Sequence, residues 1–562
     1  MSKMKKMVKY GTVMFASSLV LAACGNGDVP DLEDDGATGG DDTEEAAAEG
    51  DVPEVDEGDT STLMIGLTNA PDSFNPFNRP GTAGTWIQRF FYDSLLTMPT
   101  ADSFEPALGS FETEDNQVFT VTIDENANWS DGEPVTANDV AFTLNTIADP
   151  EVETTLGTSV AMIEGTDSSG VRLEEHDELP GVEVVDEKTL TITTKSPVDL
   201  AYLSEFLGFN VLIAPEHVFG DIEVADISNS EAATMPSVFS GAYKFVEYDT
   251  DNYVHLEANP DYYRGAPEIE TVYARIMNGT AMITEFQAGN LHMAAGGGIG
   301  MVPVQDISLL EDIDGLVVDE FPSFNGQYML INNERFDNPQ VRRAFAHALN
   351  RQLTVDNLLE GRGEVLASTY SSASPYKDED LEPLEYDPEL AREMLEEAGF
   401  DFDTPLEFVV PTGNVVREQN GDLIEQWLTE IGVEVNQSNY DFPTWMSMAN
   451  DLDYDIGLMG WTHTVDPNIA SYLQTGGASN NMGVEDPVID DLLEQGMVGT
   501  NFEERFPVYA ELQQHLQDEM PVVPLYSDSQ FGVRVDYLNG GIKEFWAGSL
   551  HDLHEWTLDP QD

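Results

Sequence analysis

The sequence predicts an α/β protein with more than one lobe. Three observations predict it. Strand patterns of alternating polarity recur along the chain. Capped amphipathic helices fall between them without a fixed period, and no internal repeat is present. Beyond an acidic N-terminal stretch about 500 residues remain, more than one hydrophobic core holds.

Taken in order, Met1 to Cys24 carries Lys3, Lys5, Lys6 and Lys9, an apolar run from Val8 to Leu21, and Leu21-Ala22-Ala23-Cys24. The run is shorter than the roughly 20 apolar residues that cross a bilayer, so 1–23 is expected to be a secretion signal. Leu-Ala-Ala-Cys resembles the lipobox of bacterial lipoproteins, which implies that Cys24 is lipidated and that the protein sits on the outer face of the cell membrane. Cys24 is the sole cysteine, so no intramolecular disulfide can form. Gly25 to Thr60 lacks Lys, Arg and aromatic residues, and 24–60 is expected to be an acidic disordered tether.

The folded part begins near Leu63. Phe119-Thr120-Val121-Thr122-Ile123 and Leu190-Thr191-Ile192-Thr193 alternate as half-buried strands do. Thr136 with Asp139 suits a capping box, placing Val140, Thr143, Leu144 and Ile147 on one face. Tyr243 to Glu247 and Tyr253 to Leu256, joined through Asp249-Thr250-Asp251-Asn252, predict a hairpin. Asn338-Pro339 starts a helix with a buried stripe of Val341, Ala344, Phe345, Ala348 and Leu349. A further helix runs from Pro388 to Ala398 between Asp387 and Gly399, with Leu390, Ala391, Met394, Leu395 and Ala398 expected inside. Gly457 to Trp461 reads as a short buried strand, and Gly296 to Gly300 as a loop.

Several segments, in this order, resemble one family. They are Phe91-Tyr92-Asp93-Ser94-Leu95-Leu96, Trp129-Ser130-Asp131-Gly132-Glu133-Pro134-Val135-Thr136-Ala137-Asn138-Asp139-Val140, Ser240-Gly241-Ala242-Tyr243, and Asn259-Pro260-Asp261-Tyr262-Tyr263-Arg264-Gly265. Asn338 to Ala344, Asn350-Arg351, Ala398-Gly399-Phe400, and Met520-Pro521-Val522-Val523-Pro524-Leu525-Tyr526 complete the series. Together they are similar to the extracellular solute-binding proteins of oligopeptide, dipeptide and nickel ABC transporters. The resemblance implies a periplasmic-binding-protein-like clamp of two lobes with mixed sheets and an extra subdomain in the first lobe. Lobe I is then expected at 61–104, its extra subdomain at 105–235, its second part at 236–324, lobe II at 325–523, and a C-terminal return at 524–562. Most motif residues read as structural: Asp131-Gly132 as a turn, Thr136 as a cap, Arg342 or Arg343 as an ion-pair partner.

The resemblance also implies the ligand and partners: an oligopeptide enclosed by lobe closure, the permease subunits of an ABC importer, and a monomer held by its lipid anchor. The alternatives are another solute, such as an oligosaccharide or a metal chelate, and a sensing role. The family's acid for the peptide amine stands three residues after a tryptophan. In Trp461-Thr462-His463-Thr464-Val465-Asp466-Pro467 that place holds Thr464, so Asp466 either substitutes or forms an Asp-Pro turn. Trp461 is the leading ligand-contact candidate, with a core position as the rival. Further candidates are Asn480, Asn481, Trp445 and Tyr440, the first loop with Ser73 and Phe74, and Asn325 with Gln327 near the expected crossover. The amides either pair with a peptide backbone or satisfy their own loops.

Acidic residues number 105 against 23 basic ones, a net charge of −82 spread over the whole chain. That surface repels itself and suits a salty or alkaline habitat, with recruitment of a cationic ligand as the rival reading. Without a basic stripe to neutralise phosphates, nucleic-acid binding is excluded. No His-Glu-x-x-His or Gly-x-Ser-x-Gly occurs and the cysteine lies in the signal, so the sequence predicts no enzyme and no cofactor. His551 and His554 offer two imidazoles, which are expected to form a solvated surface cluster and no metal site.

Overall fold

The computed structural model describes residues 58–559, apart from Pro80, Asp251, Gly297, Glu544 and Trp546. The signal, Cys24 and nearly all of the tether lie outside the described residues. A seven-stranded mixed sheet runs in the order Leu316–Phe321, Gln530–Val535, Met293–Ala294, Thr62–Leu67, Thr271–Ile276, Tyr253–Ala258, Tyr243–Asp249. A six-stranded mixed sheet runs Gly363–Val365, Val522–Asp528, Asn325–Ile331, Ile456–Thr462, Leu406–Pro411, Val435–Tyr440. An antiparallel four-stranded sheet, Gly109–Thr113, Val118–Ile123, Thr189–Thr193, Val182–Asp186, lies between the first strands of the seven-stranded sheet in sequence.

The six-stranded sheet is covered on both faces. Alternation within Asn325–Ile331 sends Met329 and Ile331 into one core, with Phe345 and Phe408, and Tyr328 and Leu330 into another, with Trp445 and Tyr509. A strand buried on both sides reads as a nearly continuous apolar run, which is why Ile456-Gly457-Leu458-Met459 carries no polar alternation. The seven- and four-stranded sheets share one large core that includes Leu63, Ile65, Trp86, Phe91, Val121 and Ile192. Helix Gly279–Ala288 packs Met282, Ile283 and Phe286 against Met64 in a smaller cluster of its own.

Local signals translate directly. Tyr243–Asp249 and Tyr253–Ala258 form the expected hairpin. The Thr136 hydroxyl accepts from the Asp139 N–H at 3.4 Å, and an Asp139 carboxylate oxygen accepts the Thr136 N–H at 2.8 Å, closing the capping box of helix Ala137–Ile147. The other Asp139 oxygen accepts the Glu216 N–H at 2.9 Å, so the Trp129–Val140 motif ties two helices together. Asn338 and Asp387 cap Pro339–Ala348 and Pro388–Ala398, and Gly399 closes the latter at φ +73°.

Two expectations change and one is met. Leu390 is 37% exposed, because Pro388–Ala398 meets its neighbour through Ala391 and Leu395, leaving Met394 and Ala398 half-buried. Arg342 is the expected ion-pair partner, 3.7 Å from a Glu519 carboxylate oxygen, and it also donates to the main-chain carbonyls Glu519 O at 2.6 Å, at the end of helix Phe502–Glu519, and Phe336 O at 2.7 Å. His551 and His554 are half-buried rather than solvated. His551 lies 3.2 Å from the Thr97 hydroxyl, His554 packs on Tyr262, and burial lowers the pKa of both rings. Among the described residues no group of three or more metal-ligating side chains occurs, and no helix is long and apolar enough to cross a membrane.

Candidate functional site

The chain leaves the seven-stranded sheet at Phe321 and enters the six-stranded sheet at Asn325; it leaves that sheet after Asp528 and rejoins the first at Gln530. The two crossings are pinned side by side. The Ser527 hydroxyl donates to Asn325 O at 2.6 Å and the Ser323 hydroxyl accepts the Asn325 N–H at 3.0 Å. Two compact bodies therefore meet around a pair of short connections, a geometry that permits hinge motion.

Cavities line the junction. One of about 480 Å³ runs from Thr68, Asn278 and Met301 on one body to Gln327, Asn414 and Tyr526 on the other. A second, about 580 Å³, is walled by Thr100 and Phe545 against Phe324 and Ser372. A third, about 520 Å³, lies between Tyr202 and Glu205 on one side and Tyr376, Asp466 and Arg505 on the other, and shares Ala101, Asp102 and Pro375 with the second. These volumes are those of ordinary small-molecule and peptide pockets, which run roughly 300–1,000 Å³.

The loop after strand Ile456–Thr462 bridges the two bodies. Val465 packs against a small apolar cluster of Met98, Phe209 and Ala547. Its N–H and that of Asp466 donate to the two oxygens of Glu205, at 3.0 and 2.8 Å. Asp466 accepts the Asn468 N–H at 2.9 Å, which makes the Asp-Pro turn, and pairs with Arg505 at 2.7 Å. Arg505 also reaches Asp199 of the opposite body at 3.2 Å and donates from Nε to Gly496 O. Burial drives the Glu205 carboxyl up to about 7, aided by the Asp466 charge, and raises Asp466 against the pull of Arg505. Arg505 is held firmly protonated by Asp466 despite its own burial.

Trp461 is 7% exposed and sandwiched: Tyr328 stacks on one side at 4.3 Å between centroids and Tyr472 on the other at 4.7 Å. With both faces covered it takes the core role of the two expected. His463 meets its edge and lies 2.9 Å from the Tyr328 hydroxyl; burial lowers the His463 pKa to about 4, so the ring is neutral. Trp445 is fully buried against Gly457 and Tyr454, which corrects its assignment as a ligand contact. Phe74 is likewise corrected: it sits in the large core between Phe91, Phe245 and Tyr248, while Ser73 accepts the Asn75 N–H in its own turn. Asn480 spends its amide on Gln474 O, Val484 O and the Val484 N–H and so serves loop backbone, while the main-chain carbonyl of buried Asn481 accepts the Tyr454 hydroxyl at 2.7 Å. Thr464 donates to Asp466 O. Tyr440 is 38% exposed at the end of an edge strand.

Gln327 lines the 480 Å³ cavity and accepts from Arg417 Nε at 2.9 Å, and Asn325 opens its strand at the crossing. The structure thus brings Asn325, Gln327, Thr464 and Asp466 to the junction and leaves Trp445, Phe74 and Asn480 in structural roles. Asp199, Glu205 and Arg505 escaped the sequence reading. One signal for Arg505 was available: in a chain with 23 basic residues, an arginine amid Phe502, Phe506, Val508 and Tyr509 is a costly placement that demands buried acid partners.

Residues 101–483 match the family described as "Bacterial extracellular solute-binding proteins, family 5 Middle". The oligopeptide-binding protein AppA of Bacillus subtilis is 25% identical over 524 residues, covering 88% of this chain and 91% of that one. The periplasmic oligopeptide-binding protein OppA of Salmonella typhimurium is 25% identical over 525 residues, covering 90% and 92%. The solved structure of the Bacillus subtilis AppA in complex with a nonapeptide superposes with a TM-score of 0.73 at 23% identity, over 89% of this chain and 99% of that chain.

Proposed function

The chain belongs to the bacterial extracellular solute-binding proteins of family 5, and from that premise we propose that it captures oligopeptides between its two bodies and delivers them to the permease of an ABC importer. One observation carries the reading: cavities of about 480, 520 and 580 Å³ are each walled by residues from both bodies, which are joined by two adjacent crossings. Closing about Pro322–Phe324 and Ser529 expels water from a ligand held there, and hydrogen bonds to its backbone strengthen as the local dielectric falls. The nonapeptide held by the AppA relative supports peptide as the solute class.

In this reading lobe I comprises 61–104 and 236–324 with the C-terminal return, 105–235 is its extra subdomain, and lobe II runs from 325 past the expected boundary at 523 to Asp528, because strand Val522–Asp528 belongs to the six-stranded sheet. The closed form is what the permease recognises, and the protein turns nothing over. Gln327, Asn325 and the Thr464–Asp466 loop face the ligand space, whereas Trp461 supports the loop from behind. Cys24 carries the lipid that keeps a monomer at the extracellular face of the membrane, and the acidic surface keeps it soluble in salt.

Native mass spectrometry of protein purified without denaturation tests the solute class. A ladder of bound peptide masses is expected; a single metal-chelate or oligosaccharide mass refutes peptide capture. Cys24→Ala is expected to move the folded protein from the membrane to the soluble fraction, and retention in the membrane refutes the anchor.

A further inference from the structure

On the wall of the 520 Å³ cavity the junction gathers three carboxylates, Asp199, Glu205 and Asp466, around one guanidinium, and all four side chains are buried. Arg505 is committed to Asp466 and Asp199 through the same nitrogen, at 2.7 and 3.2 Å, and to Gly496 O through Nε. Glu205 is therefore held by two neutral donors, the N–H groups of Val465 and Asp466. Both donors belong to the opposite body, on a loop whose Val465 side chain packs against the apolar cluster of Met98, Phe209 and Ala547. When that loop lifts, Glu205 regains water; when it seats, Glu205 is desolvated beside an excess of negative charge. The two N–H groups and Arg505 favour its carboxylate, but burial and the Asp466 charge outweigh them, so the enclosed acid resists ionisation.

We propose that the Thr464–Pro467 loop is the latch of the clamp and that seating it takes up one proton on Glu205. The proposal rests on the closing motion described above and adds its regulation. The groups facing Glu205 are Asp466 and Arg505 from the opposite body and Tyr202 from its own, with Asp199 and Asp102 on the same cavity wall. In the seated latch the Glu205 carboxyl stands near 7; with the loop away an ordinary glutamate titrates near about 4.3. The seated state therefore binds the proton more tightly than the lifted state. Closure is helped most below the lifted-state value, and the help is lost as pH rises through the seated-state value. Glu205 sits in a π-helical turn, Ser204–Phe209, and this local widening delivers its side chain to the loop.

The test uses synthetic nonapeptides, N-acetylated and C-amidated, without ionisable side chains, so that the ligand carries no protons. Calorimetry at pH 6 in two buffers of different ionisation enthalpy is expected to show uptake of about one proton on binding, and affinity is expected to fall roughly tenfold or more between pH 5.5 and 8.5. Glu205→Gln, a stand-in for the protonated acid, should bind with no uptake and a flat pH profile. No uptake by the wild type, or the same uptake by Glu205→Gln, overturns the proposal. If these peptides bind at no pH, the peptide reading fails while the latch is still decided in the ligand-free protein. Exchange protection of the Val465 and Asp466 amides, corrected for intrinsic rates, must then decline from pH 5.5 to 8.5 in the wild type and stay level in Glu205→Gln; equal protection in both overturns it.

Discussion

Replacing Trp461 by alanine removes the middle ring of a three-ring stack, with Tyr328 at 4.3 Å and Tyr472 at 4.7 Å between centroids. Truncating a buried tryptophan or phenylalanine costs about 3–5 kcal/mol, from lost transfer energy and from the cavity left behind. Each stacking pair supplies about 0.5–1.5 kcal/mol of that total. The upper half of the range is expected, because Tyr328 is tethered by its hydroxyl to Thr369 O at 2.9 Å and to His463, and cannot collapse into the space. Trp461→Phe keeps an aromatic ring between the tyrosines and should cost about 1–2 kcal/mol. Urea unfolding followed by far-ultraviolet circular dichroism, at fixed molar salt, measures both. A Trp461→Ala protein that unfolds within about 1 kcal/mol of the wild type yet loses ligand binding would refute the core assignment and return the ring to the ligand.

Asp466→Asn should lower affinity equally for free-amine and N-acetylated peptides, because Arg505 and the Asn468 N–H already occupy the carboxylate; a selective loss with free-amine peptides would mark it as the amine's partner. His463 and His292 are held neutral, each with its pKa lowered by burial to about 4. The unfolded chain binds protons there near about pH 6.5 and the folded chain does not, so stability should decline as pH falls from 6.5 toward 4, by up to about 3 kcal/mol per ring. His463→Gln should shrink the fall in urea midpoint between pH 7 and 4.5, and an unchanged fall would contradict a neutral buried ring.

Local elements were legible because their signals act over a few residues. The capping box at Thr136 and Asp139, proline after Asn338 and Asp387, and the alternation in Phe119–Ile123 each satisfy backbone groups or sort side chains within one turn or strand. The helix Pro388–Ala398 shows where such signals stop: its five apolar positions define a stripe, and the width of the partner decides that Leu390 stays outside. The site was less legible for the same reason. Trp461 and Trp445 have the composition of ligand contacts, and what separates a cleft from a core is whether Tyr472 or Gly457 has already filled the space beside them.

Taken alone, the sequence determined the α/β class and the order of its elements, since these depend on periodicity and short-range spacing, and its motifs carried the resemblance to the solute-binding family. It also carried the expectation of a signal and of lipidation at Cys24, both of which fall outside the described residues. Only the tertiary structure decided that Asp466 is a turn residue paired with Arg505, that Arg342 serves helix-end carbonyls, and that Glu205 meets a loop 260 positions further along the chain. Charge is additive along a sequence, but the energy of a charge depends on its solvent and its neighbours, and those are set by residues that no local pattern connects.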